Sequence, residues 1–292
     1  MLVQQLVNGL FIGAVYALFA LGYTLIFGVL DILNLAHASI FMIGAFTALV
    51  LVLKGVPVLA AVLGGALAGG VAGVVLDRVA FWPLRRRQAG PLAPLISSIA
   101  VGMIYVAMAN GYFGPDVRHF PFDVVRTPTV TLGPATFTIM QLTIFVASLA
   151  LMIGLQALLR YTRLGSAIRA VAENPRAAQL VGIDLEAVYA QTFFIASALG
   201  AVAGILFALN FNTVSSVMGS TVELKGLAVI ILGGMGSIPG SMLGGLLIGL
   251  SEDLSVAYLS SGYRDAIVFA ILFLVLIIRP TGLLGKRSLR AA

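Results

Sequence analysis

Apolar residues dominate this chain in runs of membrane-crossing length. About eight such stretches fall at 6–30, 36–53, 57–81, 92–113, 137–160, 188–210, 222–250 and 264–280. A helix needs about 20 apolar residues to cross the hydrocarbon core. The pattern therefore predicts an all-α polytopic membrane protein with about eight membrane segments. Two intervening stretches differ. Segment 114–136 holds Pro115, Pro121, Pro128 and Pro134 and a β-like run at 127–132, which predicts an ordered surface loop with a short hairpin. Segment 161–187 is polar and reads as two short helices. No stretch is long enough for a separate soluble unit, so residues 1–292 read as one transmembrane domain.

The seventh stretch is interrupted at Gly233, Gly234, Met235, Gly236, Ser237, Ile238, Pro239 and Gly240. At ~1.5 Å per residue the whole stretch spans about 44 Å, too little for two crossings of ~30 Å. It reads as a re-entrant hairpin, two short helices meeting at a bend inside the membrane. Charge leads to the same conclusion. Arg85, Arg86 and Arg87 follow the third stretch; Arg160, Arg163, Arg169 and Arg176 follow the fifth; Arg279, Lys286, Arg287 and Arg290 follow the eighth. All three clusters belong on the cytoplasmic side. Three single crossings cannot join the second cluster to the third on one side, so one stretch must turn back. Glu252, Asp253 and Asp265 then fall on the outer side, with segment 114–136 and the N-terminus.

Composition narrows the chemistry. The chain is 60% hydrophobic and 10% charged, against roughly 25% charged in soluble proteins. With no cysteine and two histidines, His37 and His119, disulfides, thiol nucleophiles and metal clusters are not expected. No catalytic residue stands out, and no G-x-x-x-x-G-K-[ST] phosphate loop occurs. The net charge of +6 lies in loops and span flanks, which fits lipid and not nucleic acid. The first apolar stretch lacks the charged leader of a cleavable signal and reads as a permanent helix.

Irregular backbone at membrane depth survives only where protein or a water-filled path satisfies it. The break at Gly233, Gly234 and Gly236 thus marks a candidate translocation path. A second interruption, from Asp31 through Asn34 to His37, is its possible counterpart in the first half. Asn8, Tyr16, Asn34 and His37 are further path candidates, with Asn110. Glu223 and Lys225 read more simply as snorkelling side chains, and His37 as a hydrogen-bonded packing residue.

Segment 161–187 is the most specific part. Gly165 opens its first helix, Asn174 caps the second with Pro175 in its first turn, and Gly182 ends it. Ala177, Ala178 and Val181 share one smooth face. The run Arg169, Ala170, Ala172, Glu173, Asn174, Ala177, Ala178, Gly182 and Ile183 resembles the cytoplasmic coupling loop of branched-chain amino-acid permeases of the ATP-binding-cassette importers. Two other blocks resemble that family, Asn8 through Tyr16 to His37 and Leu232 through Gly240. Ala38 stands where the family usually has glycine.

The resemblance implies a type II importer-like bundle in a bacterial inner membrane, and a shorter permease that pairs with a second, longer one. It also implies two ATPase subunits that bind the ATP and an external substrate-binding protein. Arg169, Ala172, Glu173, Asn174, Arg176, Ala177, Ala178 and Gly182 would couple to the ATPase. The implied cargo is leucine-like amino acids, with urea, amides and aromatic acids carried by relatives. The rival reading is a stand-alone ion-coupled transporter or channel.

Overall fold

The computed structural model describes residues 2–90, 92–125, 127–133 and 135–285. Arg126, Pro134 and the basic tail residues Lys286, Arg287 and Arg290 lie outside the described residues.

Six helices are long and apolar enough to cross a membrane: Leu2–Leu30, Val58–Arg86, Leu92–Phe113, Ile139–Tyr161, Leu185–Phe211 and Ser261–Ile278. In chain order the elements are α1 (Leu2–Leu30), α2 (His37–Leu53), α3 (Val58–Leu76) and α4 (Trp82–Arg86), the last two joined by a π-turn. Next come α5 (Leu92–Phe113), α6 (Phe122–Val125), strands β1 (Thr129–Leu132) and β2 (Ala135–Thr138), and α7 (Ile139–Tyr161). Then follow α8 (Arg163–Glu173), α9 (Pro175–Leu180), α10 (Leu185–Phe211), α11 (Met218–Gly233), α12 (Ile238–Tyr258) and α13 (Arg264–Ile278).

The bundle is built around α1 and α10. Both are buried along most of their length, whereas α3, α5, α7 and α13 expose large apolar side chains such as Leu59, Ile96, Ile153 and Ile277. In water that surface would be a large liability; in lipid it is the normal exterior. Small residues let the backbones of the core helices touch. On α1 and α12, Gly9, Gly13, Gly245 and Gly249 interleave, and a Cβ on Gly9 would stand 2.8 Å from the Leu250 Cα. On α3 and α10, Gly69 and Gly73 face Ala201 and Ser197 in the same manner.

These two contacts belong to a repeated pattern. Each central helix ends on a left-handed residue, Asp31 (φ 55°) after α1 and Asn212 (φ 48°) after α10. A non-helical segment follows, 32–36 or 213–217. A short helix comes next, α2 with 17 residues or α11 with 16. The following helix then crosses over to the other half, α3 onto α10 and α12 onto α1. The counterpart of the Asp31–His37 interruption is therefore 212–217, and not the glycine break expected to match it.

The two ends of the bundle differ in character. At one end the β1–β2 hairpin forms where the sequence placed it, pairing Thr129 with Thr138. There Gln4 makes two 2.7 Å hydrogen bonds to the Thr136 backbone. Arg118 and Val214 exchange 2.8 Å backbone bonds, and the His119 ring nitrogen meets the Asn212 carbonyl. At the other end lie Arg85, α8, α9, Asp31 and the bend at 234–237. Leu283 and Leu284 donate there to Leu232 and Gly233 at 2.8 and 3.0 Å.

The glycine bend thus forms where expected along the chain but differs in its limits and place. It joins α11 to a 21-residue α12, about 31 Å long. The bend sits beside Arg160 and Arg169, at the basic end of the bundle and not at its middle.

Candidate transport and coupling sites

The non-helical segments 32–36 and 213–217 bring the first turns of α2 and α11 together in the bundle interior. Gly219 lies so close to the Ala38 carbonyl that a Cβ there would collide with it. His37 wedges into the space left by Gly22 and Gly200. Its ring stands 5.0 Å from Phe19 and 4.7 Å from Tyr23. The Phe19 backbone is a polar neighbour, yet neither ring nitrogen makes a hydrogen bond of good geometry. The expected packing role holds; the expected hydrogen bond does not. Asn34 is fully buried, and its Oδ1 accepts from the Ala36 N–H at 3.2 Å. A cleft of about 610 Å³ opens beside these turns, between α2, α5 and α11.

The other path candidates scatter. Asn8 does not line the cleft; its Oδ1 accepts from Gln4 at 3.1 Å. Gly233, Gly234 (φ 102°) and Gly236 (φ 81°) form the basic-end bend. Gly236 lines a groove of about 620 Å³ with Asp31, Arg169 and Ala172. Tyr16 belongs to a buried charge cluster that the sequence did not reveal.

That cluster centres on Glu252 of α12, fully buried. Its Oε1 lies 2.8 Å from Lys225 Nζ and 2.8 Å from Arg264 Nε, and accepts from the Tyr16 hydroxyl at 3.3 Å. Lys225 also reaches Asp265 at 3.4 Å, while Glu252 Oε2 has no partner. Lys225 is 9% exposed. It is an ion-pair partner and not a snorkelling residue, because Glu252 one helix away offers it a counter-charge that the interface does not. Glu223 likewise holds Tyr23, whose hydroxyl donates to its Oε1 at 3.3 Å.

At the basic end, α8 starts at Arg163, two residues before Gly165, because the Thr162 hydroxyl accepts from the Gly165 N–H at 3.0 Å. Asn174 caps α9 through the Ala177 N–H at 3.1 Å, with Pro175 in the first turn. Gly182 takes φ 88° at its end. Ile168, Val171 and Ala178 turn inward. The expected face of Ala177, Ala178 and Val181 is therefore split, and Leu180 and Val181 are the exposed pair, at 89% and 77%. Arg169, Glu173, Asn174, Arg176, Ala177 and Gly182 are exposed, and Ala172 is half-buried.

A buried ion cluster ties the first turn of α10 to the α3–α4 junction. Arg85 grips the fully buried Asp77 with both nitrogens, at 2.6 and 3.3 Å. It reaches Glu186 in the first turn of α10 at 3.2 Å and lies 4.6 Å over the Tyr189 ring. Sequence reading had assigned Arg85 a topological role alone. Among the described residues, no group of three or more metal-ligating side chains occurs.

Comparison with known proteins agrees with this architecture. Residues 5–276 match the family described as "Branched-chain amino acid transport system / permease component". The chain is 35% identical to the high-affinity branched-chain amino acid transport system permease protein LivH of Escherichia coli (strain K12), covering 97% of this chain and 95% of that protein. It is 36% identical to the corresponding permease protein BraD of Pseudomonas aeruginosa, with the same coverage. Similarity also extends to the ribose import permease protein RbsC of Escherichia coli, 27% identical over 41% of this chain and 40% of that protein.

Proposed function

Since the chain belongs to the branched-chain amino acid transport system permease family, we propose that it is the membrane-spanning permease subunit of an ATP-driven importer of leucine-like amino acids. It pairs with a second, longer permease, two ATPase subunits and an external binding protein, in a bacterial inner membrane. The observation that carries the coupling step is the placement of α8 and α9. Their outer surface bears Leu180, Val181 and Ala177, suited to a groove on an ATPase. The inner surface of α8, through Ile168 and Ala172, shares one groove with Asp31 and Gly236. Displacement of the loop would therefore reach the end of α1 and the α11–α12 bend together.

The same geometry supports one crossing pattern. Each non-helical segment and its short helix together make one pass, 32–36 with α2 outward and 213–217 with α11 inward. With α1, α3–α4, α5, α7, α10, α12 and α13 this gives about nine passes. The N-terminus then lies outside, and Arg85, Arg160, Arg169 and Arg279 lie inside. The α11–α12 pair supplies the even number of crossings that the charges demand.

Glu173→Arg and Ala177→Trp test the coupling role. In the complete transporter, both should abolish ATP-driven leucine uptake while expression of the chain stays normal. Full uptake by either variant would contradict the role given to this loop.

A further inference from the structure

The cleft between α2, α5 and α11 carries an inference that rests on the transport reading above. Two helices open their first turns on it, α2 at Ala38 and Ser39 and α11 at Gly219 and Ser220. Neither helix has a side-chain cap. The His37, Ser39, Met218 and Ser220 N–H groups are bonded within their own turns, so what the two helix ends bring to the cleft is the positive end of the helix dipole, which favours an anion. Ser216 provides an independent sign of a ligand. It is 5% exposed, lines the cleft, and makes no hydrogen bond through its hydroxyl. The opposite charge is on the same wall. Glu223 lines the cleft, and the buried Asn110 Oδ1 beside it has no donor. Ile99, Met103 and Val106 supply an apolar face.

Such a set cannot face lipid, where unsatisfied polar groups cost several kcal/mol each by general scales. It also suits one chemistry better than others. A neutral sugar would bring no cation to Glu223, whose partner is the Tyr23 hydroxyl, and no anion to the two helix ends. An aliphatic α-amino acid offers a carboxylate, an ammonium and a hydrocarbon side chain, one for each part of the cleft.

We propose that this cleft is a cargo subsite within the permease itself, binding a branched aliphatic α-amino acid as its zwitterion. The carboxylate points to the first turns of α2 and α11 and to Ser216. The ammonium points to Glu223 and Asn110, and the side chain lies on Ile99, Met103 and Val106.

The absence of cysteine makes the test direct. Ser216→Cys and Asn110→Cys each create a unique thiol in this chain, within the complete transporter in proteoliposomes. A membrane-impermeant thiosulfonate should label both, and leucine-loaded binding protein with ATP should slow labelling about tenfold, as one occupied polar site predicts. Glu223→Gln, which keeps a side-chain acceptor for Tyr23, should lower leucine uptake about tenfold, the usual worth of a hydrogen bond to a charged group. Labelling indifferent to leucine, or normal uptake by Glu223→Gln, would overturn the subsite. If the unmodified complex carries no leucine at all, the transport reading fails and the subsite with it. If that complex carries leucine while the variants are unaffected, the subsite alone fails.

Discussion

Two carboxylates, Asp77 and Glu252, are fully buried at opposite ends of the bundle, and they are satisfied in opposite ways. Asp77 gives both oxygens to one guanidinium, which also holds Glu186 and stacks on Tyr189. The match is bidentate and closed. Glu252 crowds Lys225, Arg264 and Tyr16 onto one oxygen and leaves the other without a partner. The first arrangement braces the basic end, between the α3–α4 junction and the start of α10. The second ties α1, α11, α12 and the start of α13 through contacts that can be exchanged, since Lys225 also has Asp265 within reach. The contrast is between a closed brace at the basic end and an exchangeable joint at the far end.

Breaking the brace should therefore cost most. Arg85→Met strands a fully buried carboxylate, and about 3–5 kcal/mol of stability should be lost, read as a fall in the thermal unfolding midpoint in detergent. Glu252→Leu should cost less, about 1.5–3 kcal/mol, because Lys225 retains Asp265 and Tyr16. Equal losses from the two variants would erase the distinction between brace and joint. Asn174→Ala removes one cap and should cost about 1 kcal/mol, seen as faster hydrogen exchange confined to α9. Leu180→Ser should shift stability by no more than about 0.5 kcal/mol, yet ATP-driven uptake should fall sharply. That last pair of results would separate the outer surface of the loop from the packing behind it.

The two short helices at 163–180 were legible in the sequence because their signals are local. Asn174 before Pro175 and Gly182 beyond the last turn each dictate backbone geometry within a few residues. The face they present was only half legible, since whether Ala178 or Leu180 points outward depends on how α9 sits on the bundle. The hairpin at 129–138 was visible for the same local reason.

The interior seam was not. Segment 213–217 has no glycine or proline and sits inside an apolar region. Its available signals were Asn212, a residue that tolerates the left-handed conformation, and the Ser215 and Ser216 pair just beyond it. The Glu252 cluster depends on contacts between helices far apart in sequence. A lysine and a glutamate each set within apolar runs were the hint that both needed partners. Glycine 233–240 was read correctly as a break, but its depth depended on the true length of α12, which its charged residues Glu252 and Asp253 had hidden.

A permease of this kind should move cargo only as part of an ATP-driven assembly. The most direct measurement compares leucine uptake into liposomes by this chain alone and by the complete set of subunits with ATP inside the ATPase-bearing compartment. The account predicts uptake by the complete set, lost when ATP is omitted, and none by the chain alone under a proton or sodium gradient. Gradient-driven uptake by the chain alone would contradict it and favour a stand-alone transporter.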